Sequence, residues 1–80
     1  MRIDKFLKVS RILKRRTVAN EACAGGRVSV NGKPCKPSHE IKVNDVVEIS
    51  FAENKLKFKV LLIKEFVRKE EAEAMYQIIN

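Results

Sequence analysis

Histidine, cysteine and tryptophan are nearly absent from this sequence, and their scarcity excludes several kinds of site. The chain has one histidine, two cysteines and no tryptophan among 80 residues. A tetrahedral zinc site needs four nitrogen or sulfur ligands, so His39, Cys23 and Cys35 are too few to build one. We therefore expect no metal or cofactor and two free thiols in a reducing compartment, while a single Cys23–Cys35 disulfide stays open at this point.

Long apolar runs are missing as well. The longest uninterrupted one, Val60–Ile63, is too short to cross a bilayer, and the first residues lack the apolar stretch of a secretory signal. We expect one cytoplasmic domain, and a domain of this size buries only roughly 60% of the surface of its unfolded chain. That leaves little room for an enzymatic cleft. The four serines lack a plausible catalytic base, since the single histidine, His39, lies in a Pro-Ser-His-Glu loop. No glycine-rich phosphate loop occurs either, so we expect no enzyme.

Acidic residues are scarce in the first half of the chain, where the positive charge concentrates. Residues 1–37 carry ten Lys and Arg against two acids, a net charge of +8, whereas residues 38–80 carry seven against eight. A surface block of one sign favours a polyanionic partner, because phosphate contacts by Lys and Arg release condensed counterions. Asp4, the sole acid among the first twenty residues, is expected to stabilise the first helical turn or to orient a neighbouring base such as Arg2.

Helical spacing predicts two short helices at the start of the chain. The first, over roughly residues 3–13, has one core face and a separate cationic side, although Val9 and Ile12 fit this pattern poorly and predict an early end. The second covers about residues 16–24 and ends at Gly25-Gly26, since glycine accepts the left-handed conformation that closes a helix.

Alternating apolar residues then predict a small, mostly antiparallel sheet. Asn31-Gly32 indicates a type I′ hairpin turn, because both residues tolerate positive φ, and Pro37 limits the returning segment to a sheet edge. Helical spacing returns in a final helix over residues 68–79. The predicted strands cover residues 27–30, 33–35, 46–51 and 56–63. The fold class is therefore α+β, with two short helices packed on the sheet and a C-terminal helix.

One ordered series of motifs in this sequence resembles the S-four-type RNA-binding domain, the αL RNA-binding motif. The motifs are Arg2-Ile3-Asp4-Lys5-Phe6-Leu7, Ser10-Arg11, Arg16-Thr17-Val18-Ala19, Gly26-Arg27-Val28, Val30-Asn31-Gly32-Lys33 and Val43-Asn44-Asp45-Val46-Val47. The resemblance assigns residues 1–63 to that domain and leaves residues 64–80 as a C-terminal helical extension. It implies an RNA-binding surface made by the helices and the hairpin, with candidate contacts at Arg2, Lys5, Lys8, Ser10, Arg11, Lys14, Arg15, Arg16 and Lys33.

A narrower resemblance covers both ends of the chain. The opening residues 2–17 and the stretch from Arg68 to Tyr76 are similar to the RqcP family of small ribosome-associated quality-control factors. This resemblance implies a monomer that binds large ribosomal subunits, contacts large-subunit rRNA and peptidyl-tRNA, and supports alanine tailing of stalled nascent chains by the partner RqcH.

The sequence is also compatible with two other functions. The chain could be the detached RNA-targeting domain, or a subunit, of an RNA-modifying enzyme, or it could bind an acidic membrane surface. The sequence lacks an amphipathic helix with large apolar residues, which is the feature that binds membrane surfaces. We therefore expect no membrane partner. The four phenylalanines, Phe6, Phe51, Phe58 and Phe66, are expected in the core. That expectation favours structured RNA, read by shape and phosphates, over base stacking.

Overall fold

The computed structural model describes residues 1–79 and shows three helical elements against one sheet. The helices are α1 (Ile3–Val9), α2 (Arg16–Ala24) and a 3-10 helix over Lys69–Met75. The strands are β1 (Val28–Val30), β2 (Lys33–Pro34), β3 (Val46–Phe51), β4 (Asn54–Val60) and β5 (Tyr76–Ile78). They pair in the order β2-β1-β3-β4-β5, and every neighbouring pair is antiparallel. The predicted α+β class is confirmed.

Helix α1 ends four residues before the predicted limit of the first helix. The Ser10 backbone N–H still bonds to the Phe6 carbonyl at 2.9 Å, but Arg11 takes a φ of 64°. A non-glycine residue in this left-handed region costs roughly 1–2 kcal/mol, and here it turns the chain sharply. The Leu13 N–H then reaches back to the Leu7 carbonyl at 3.0 Å. The turn therefore folds the basic residues that follow α1 against the end of that helix.

Helix α2 begins and ends where the sequence predicts. Gly26 has a φ of 75°, and its N–H bonds to the Cys23 carbonyl while the Arg27 N–H bonds to the Ala22 carbonyl. These two bonds define a Schellman motif, which satisfies carbonyls that the helix itself leaves free. The motif directs the chain into β1.

The first hairpin also forms as expected, and it sets the edge of the sheet. Asn31 and Gly32 have φ values of 53° and 85°, as a type I′ turn requires. Val28 and Val30 point into the core, and β2 is the edge strand next to β1. Strand β4 begins earlier than predicted and ends at Val60 instead of Ile63.

The C-terminal helix was predicted too long. A 3-10 helix ends at Met75, and Tyr76–Ile78 forms β5 on the open edge of β4. Ala72 and Met75, both buried, lie three residues apart, which suits a 3-10 helix because its side chains at i and i+3 align. The backbone N–H and C=O groups on the free edge of β4 need hydrogen-bond partners, and Tyr76–Ile78 supply them by pairing as β5.

The core joins the helices to the sheet through aromatic packing. The Phe6 ring of α1 stacks against Phe58 of β4 with centroids 6.2 Å apart, and the Tyr76 ring meets Phe58 edge-on at 5.7 Å. Both buried phenylalanines match the expectation. The expectation was wrong for Phe51, which is 40% exposed at the end of β3, and for Phe66, which is 91% exposed.

The two cysteines are free thiols near the C-terminus of α2 and after β2. Burial raises the pKa of Cys23 to about 12, with a smaller contribution from neighbouring Cys35. Burial also raises the pKa of Cys35. Both side chains are therefore protonated near neutral pH, which makes them weak nucleophiles.

Candidate nucleic-acid interface

An open groove runs between α1, the turn that follows it, the first residue of α2 and the segment after β4. Among its lining side chains one is acidic, Glu65, and six are cationic: Lys5, Lys8, Arg11, Lys14, Arg16 and Lys69. We call this concavity the cationic groove. Its apolar floor includes Val9, Leu13 and Val67. Five of the residues predicted to bind RNA come together here.

Burial of one face of α1 aims the opposite face at the groove. Ile3, Phe6 and Leu7 are fully buried, so Lys5 and Lys8, three residues apart, are left on the outer side of the helix. Lys5 forms an ion pair with Glu65, which ties the segment after β4 to α1. The remaining cations also line the groove, and the arginines among them are suited to bind two phosphate oxygens at once.

A buried carboxylate fixes two arginines beside the groove. Asp4 is only 2% exposed, and it accepts bonds from Arg2 Nε at 3.2 Å and Arg2 Nη2 at 3.0 Å. Arg16 Nη2 and Asn20 Nδ2 each donate to it at 3.4 Å. This arrangement supports the expectation that Asp4 orients neighbouring bases, and Asp4 also lies in the first turn of α1.

The environment of Asp4 keeps it ionised. Burial alone would raise the pKa of this carboxyl, but the Asn20 hydrogen bond and the charges of Arg16 and Arg2 together hold the pKa below its ordinary value. About half of each arginine side chain remains accessible. Asp4 therefore holds both guanidinium groups in place while part of each stays free to meet a ligand.

A second, shallower pocket surrounds this carboxylate and is nearly neutral. Its lining residues are Arg2, Asp4, Arg16, Thr17, Asn20 and Glu21. Two arginines here face two carboxylates, whereas the cationic groove has six bases and one acid. Arg16 lines both concavities, so they adjoin. The stronger attraction for a polyanion lies in the cationic groove.

Three predicted contacts lie elsewhere. Ser10, directly after α1, is 1% exposed and its hydroxyl donates to the Leu7 carbonyl at 3.4 Å, so its contact with RNA stays a prediction. Arg15 is exposed directly before α2. Lys33 is exposed on edge strand β2, in the hairpin rather than along the groove.

Several residues that line this region were not among the predicted contacts, and Asn20, Glu65, Phe66 and Lys69 are examples. Asn20 lies one turn beyond Arg16 on α2, and that i, i+4 spacing could have placed it beside Arg16 and Asp4. Glu65, Phe66 and Lys69 reach the groove only through tertiary folding of the segment after β4. Nothing in their local sequence pattern indicates that position.

The lining of the groove offers charge and hydrogen-bond donors. Within residues 1–79, no three His, Cys, Asp or Glu side chains gather as metal ligands would. In the same described part of the chain, no helix is both long enough and apolar enough to span a bilayer.

Known proteins match this chain over its whole length. The S4 domain model matches residues 1–47. The RQC P-site tRNA stabilizing factor of Streptococcus pneumoniae is 55% identical over 80 residues, which cover 100% of this chain and 91% of the relative. The factor of the same name from Halalkalibacterium halodurans is 46% identical over 78 residues, covering 98% and 89%. The trimeric structure of Vibrio cholerae Heat Shock Protein 15 superposes with a TM-score of 0.91 at 26% identity, covering 99% of this chain and 81% of that one.

Proposed function

We propose that this chain is a non-catalytic RNA-binding factor, since it belongs to the S4-domain family and within it to the RQC P-site tRNA stabilizing factors. It acts in the cytoplasm on large ribosomal subunits that carry peptidyl-tRNA. The observation that carries the proposal is the cationic groove, where six Lys and Arg side chains line one concavity with a single carboxylate. Such a surface attracts the phosphates of folded RNA.

The name of the relatives supports a role at P-site tRNA, and the finer steps proposed here go beyond that name. A factor that stabilises tRNA in the P site has to contact RNA on a stalled subunit, and two RNAs meet there, rRNA and peptidyl-tRNA. We propose that this chain binds both as a monomer, and that it thereby supports the addition of alanine tails to stalled nascent chains by RqcH. The arginines fixed by Asp4 and the adjoining groove form a continuous surface that supports contact with more than one RNA segment.

The residues of this surface differ in how much a charge reversal would disturb the fold. Arg16→Glu would place a second carboxylate against buried Asp4, so loss of binding could reflect misfolding. Lys14→Glu is the cleaner change, because Lys14 is exposed in the turn that lines the groove. Lys59→Glu is its matched control: it reverses the same charge on the outer face of the sheet, where its cross-strand neighbours are Val46 and Gln77.

The experiment measures co-sedimentation with purified large subunits, with and without peptidyl-tRNA, and with small subunits. We expect the native protein and Lys59→Glu to pellet with large subunits carrying peptidyl-tRNA, and Lys14→Glu to bind them markedly less. Equal pelleting of Lys14→Glu would contradict the assignment of the groove. Equal pelleting of the native protein with small subunits would contradict the proposed target.

A further inference from the structure

The aromatic ring of Phe66 projects into solvent at the rim of the cationic groove. It is 91% exposed, more than any other large apolar side chain among residues 1–79, and it lines the groove beside six cations. Burying a phenylalanine side chain stabilises a protein by roughly 1.5–3 kcal/mol, and this ring contributes almost none of that to the fold. Stability of the fold therefore does not explain why a phenylalanine occupies this position.

The residues on either side of Phe66 hold it in place. Glu65 forms an ion pair with Lys5 of α1, and Val67 packs against the core. Before them, the Leu61 N–H bonds to the Met75 carbonyl at 2.9 Å, which attaches the start of this segment to the end of the 3-10 helix. The backbone that carries the ring is therefore fixed, and binding a ligand costs less conformational entropy than it would for a ring on a mobile loop.

We propose that Phe66 is a stacking platform for one unpaired base of the RNA held in the cationic groove. This inference rests on the proposed function and adds its ligand class: a nucleotide in a loop, a bulge or a strand end. Groove cations bind the phosphates that flank this nucleotide, and its base lies on the phenylalanine ring. Such stacking accepts any base, because every base has a π face.

Charge complementarity selects a nucleotide over other occupants of the ring. An apolar protein surface would have to bury the surrounding lysines and arginines without counter-charges, which is unfavourable. A second copy of this chain would bring the same cations to the contact. A nucleotide supplies a flat apolar face and a phosphate within one unit, matching the ring and the cations together.

The test uses two RNA probes and four variants. One probe is a stem–loop with unpaired adenosines and 2-aminopurine in the loop, and the other is a duplex of the same stem without a loop. Phe66→Ala removes the ring, Phe66→Leu keeps an apolar side chain without it, and Phe66→Trp enlarges it. Phe51→Ala is the matched control, since Phe51 is also exposed but lies at the end of β3, where it pairs with Asn54.

We expect Phe66→Ala and Phe66→Leu to weaken stem–loop binding about fivefold to a hundredfold. Duplex binding and the salt dependence should stay unchanged, because the ring carries no charge. Phe66→Trp and Phe51→Ala should bind the stem–loop as tightly as the native protein or tighter. The 2-aminopurine fluorescence should change on binding to the native protein and not to Phe66→Ala. Thermal unfolding should be unaltered, since the ring is solvent-exposed.

Each contrary result has a distinct meaning. Stem–loop binding by Phe66→Ala that equals native binding would overturn the stacking platform and leave the proposed function standing. An equal loss on stem–loop and duplex would show that Phe66 shapes the groove instead of stacking, and would also overturn it. Native protein that binds neither probe would overturn both proposals. Self-association that disappears in Phe66→Ala would assign the ring to contact between copies.

Discussion

At the scale of single residues, Asp4 shapes the binding surface although it is almost fully buried. Its two oxygens bind Arg2, which lies directly before α1, and Arg16, the first residue of α2. Arg2 would otherwise be a mobile charge near the chain start. A buried charge needs partners that satisfy it, so the carboxylate and the arginines fix one another. The stability of the fold and the geometry of the surface therefore depend on the same group.

Asp4→Asn tests this dependence. Because both arginines keep about half of their surface in solvent, the loss should be moderate, about 1–3 kcal/mol in the free energy of unfolding. Urea unfolding measures it, and Glu73→Gln, an exposed carboxylate on the 3-10 helix, is the control that should leave stability unchanged. If Asp4→Asn were as stable as the native protein, the carboxylate would not be holding the two arginines.

The same variant carries a pH signature. The folded-state pKa of Asp4 lies below its ordinary value of 3.8, so its stabilising contribution is complete above that pH and is lost as the pH falls through the lower, folded-state value. The stability gap between the native protein and Asp4→Asn should accordingly be constant near neutral pH and shrink in acid. A gap that widened in acid would contradict the lowered pKa.

At the scale of elements, sharp turns decide where the basic residues lie. The left-handed Arg11 ends α1 and returns the chain toward the groove, and the left-handed Gly26 ends α2 and starts β1. These turns explain why helices of seven and nine residues, too short to be stable alone, form here. Each is closed at its end and packed on the sheet.

Gly26→Ala should destabilise the protein through its backbone. The added Cβ would meet no atom within 4 Å, so the cost comes from the φ of 75° alone and should be about 1–2 kcal/mol. Gly26→Asn is the matched variant, because asparagine tolerates this conformation better and should lose less. Thermal unfolding compares the two. An alanine variant as stable as the asparagine one would mean that the motif does not constrain this residue.

Local patterns predicted most elements, and they failed where partners are distant in sequence. The bounds of α2 and β3 follow directly from helical spacing, Gly25-Gly26 and apolar alternation. Ala72, Met75 and Tyr76 also have helical spacing, yet Tyr76 joins a strand because β4 has an open edge. No short window of sequence contains that edge.

The candidate site divides in the same way. Lys5, Lys8, Arg11, Lys14 and Arg16 were predicted from charge, spacing and motif resemblance, and the fold gathers them in one groove. Phe66 was misassigned to the core, because composition says that phenylalanine is usually buried and not which ring a given fold leaves outside. Its exposure depends on the tertiary position of the segment after β4, which local sequence does not determine.

At the scale of the whole molecule, the charge is distributed unevenly. Residues 1–37 carry a net charge of +8 and residues 38–80 carry −1, and six cations line the groove beside α1. An asymmetry of this kind orients a protein as it approaches a polyanion and speeds the encounter at low salt. The association should therefore weaken strongly as salt rises.

The affinity of the native protein for large subunits carrying peptidyl-tRNA, measured as a function of salt, tests the cationic groove most directly. With about five phosphates contacted, the slope of log K against log salt should be roughly −4, and Lys8→Ala and Lys14→Ala should each make it shallower by about one unit. Lys59→Ala, on the outer sheet face, should leave the slope unchanged. A shallow slope for the native protein, or an equal change in all three variants, would contradict RNA binding through this groove.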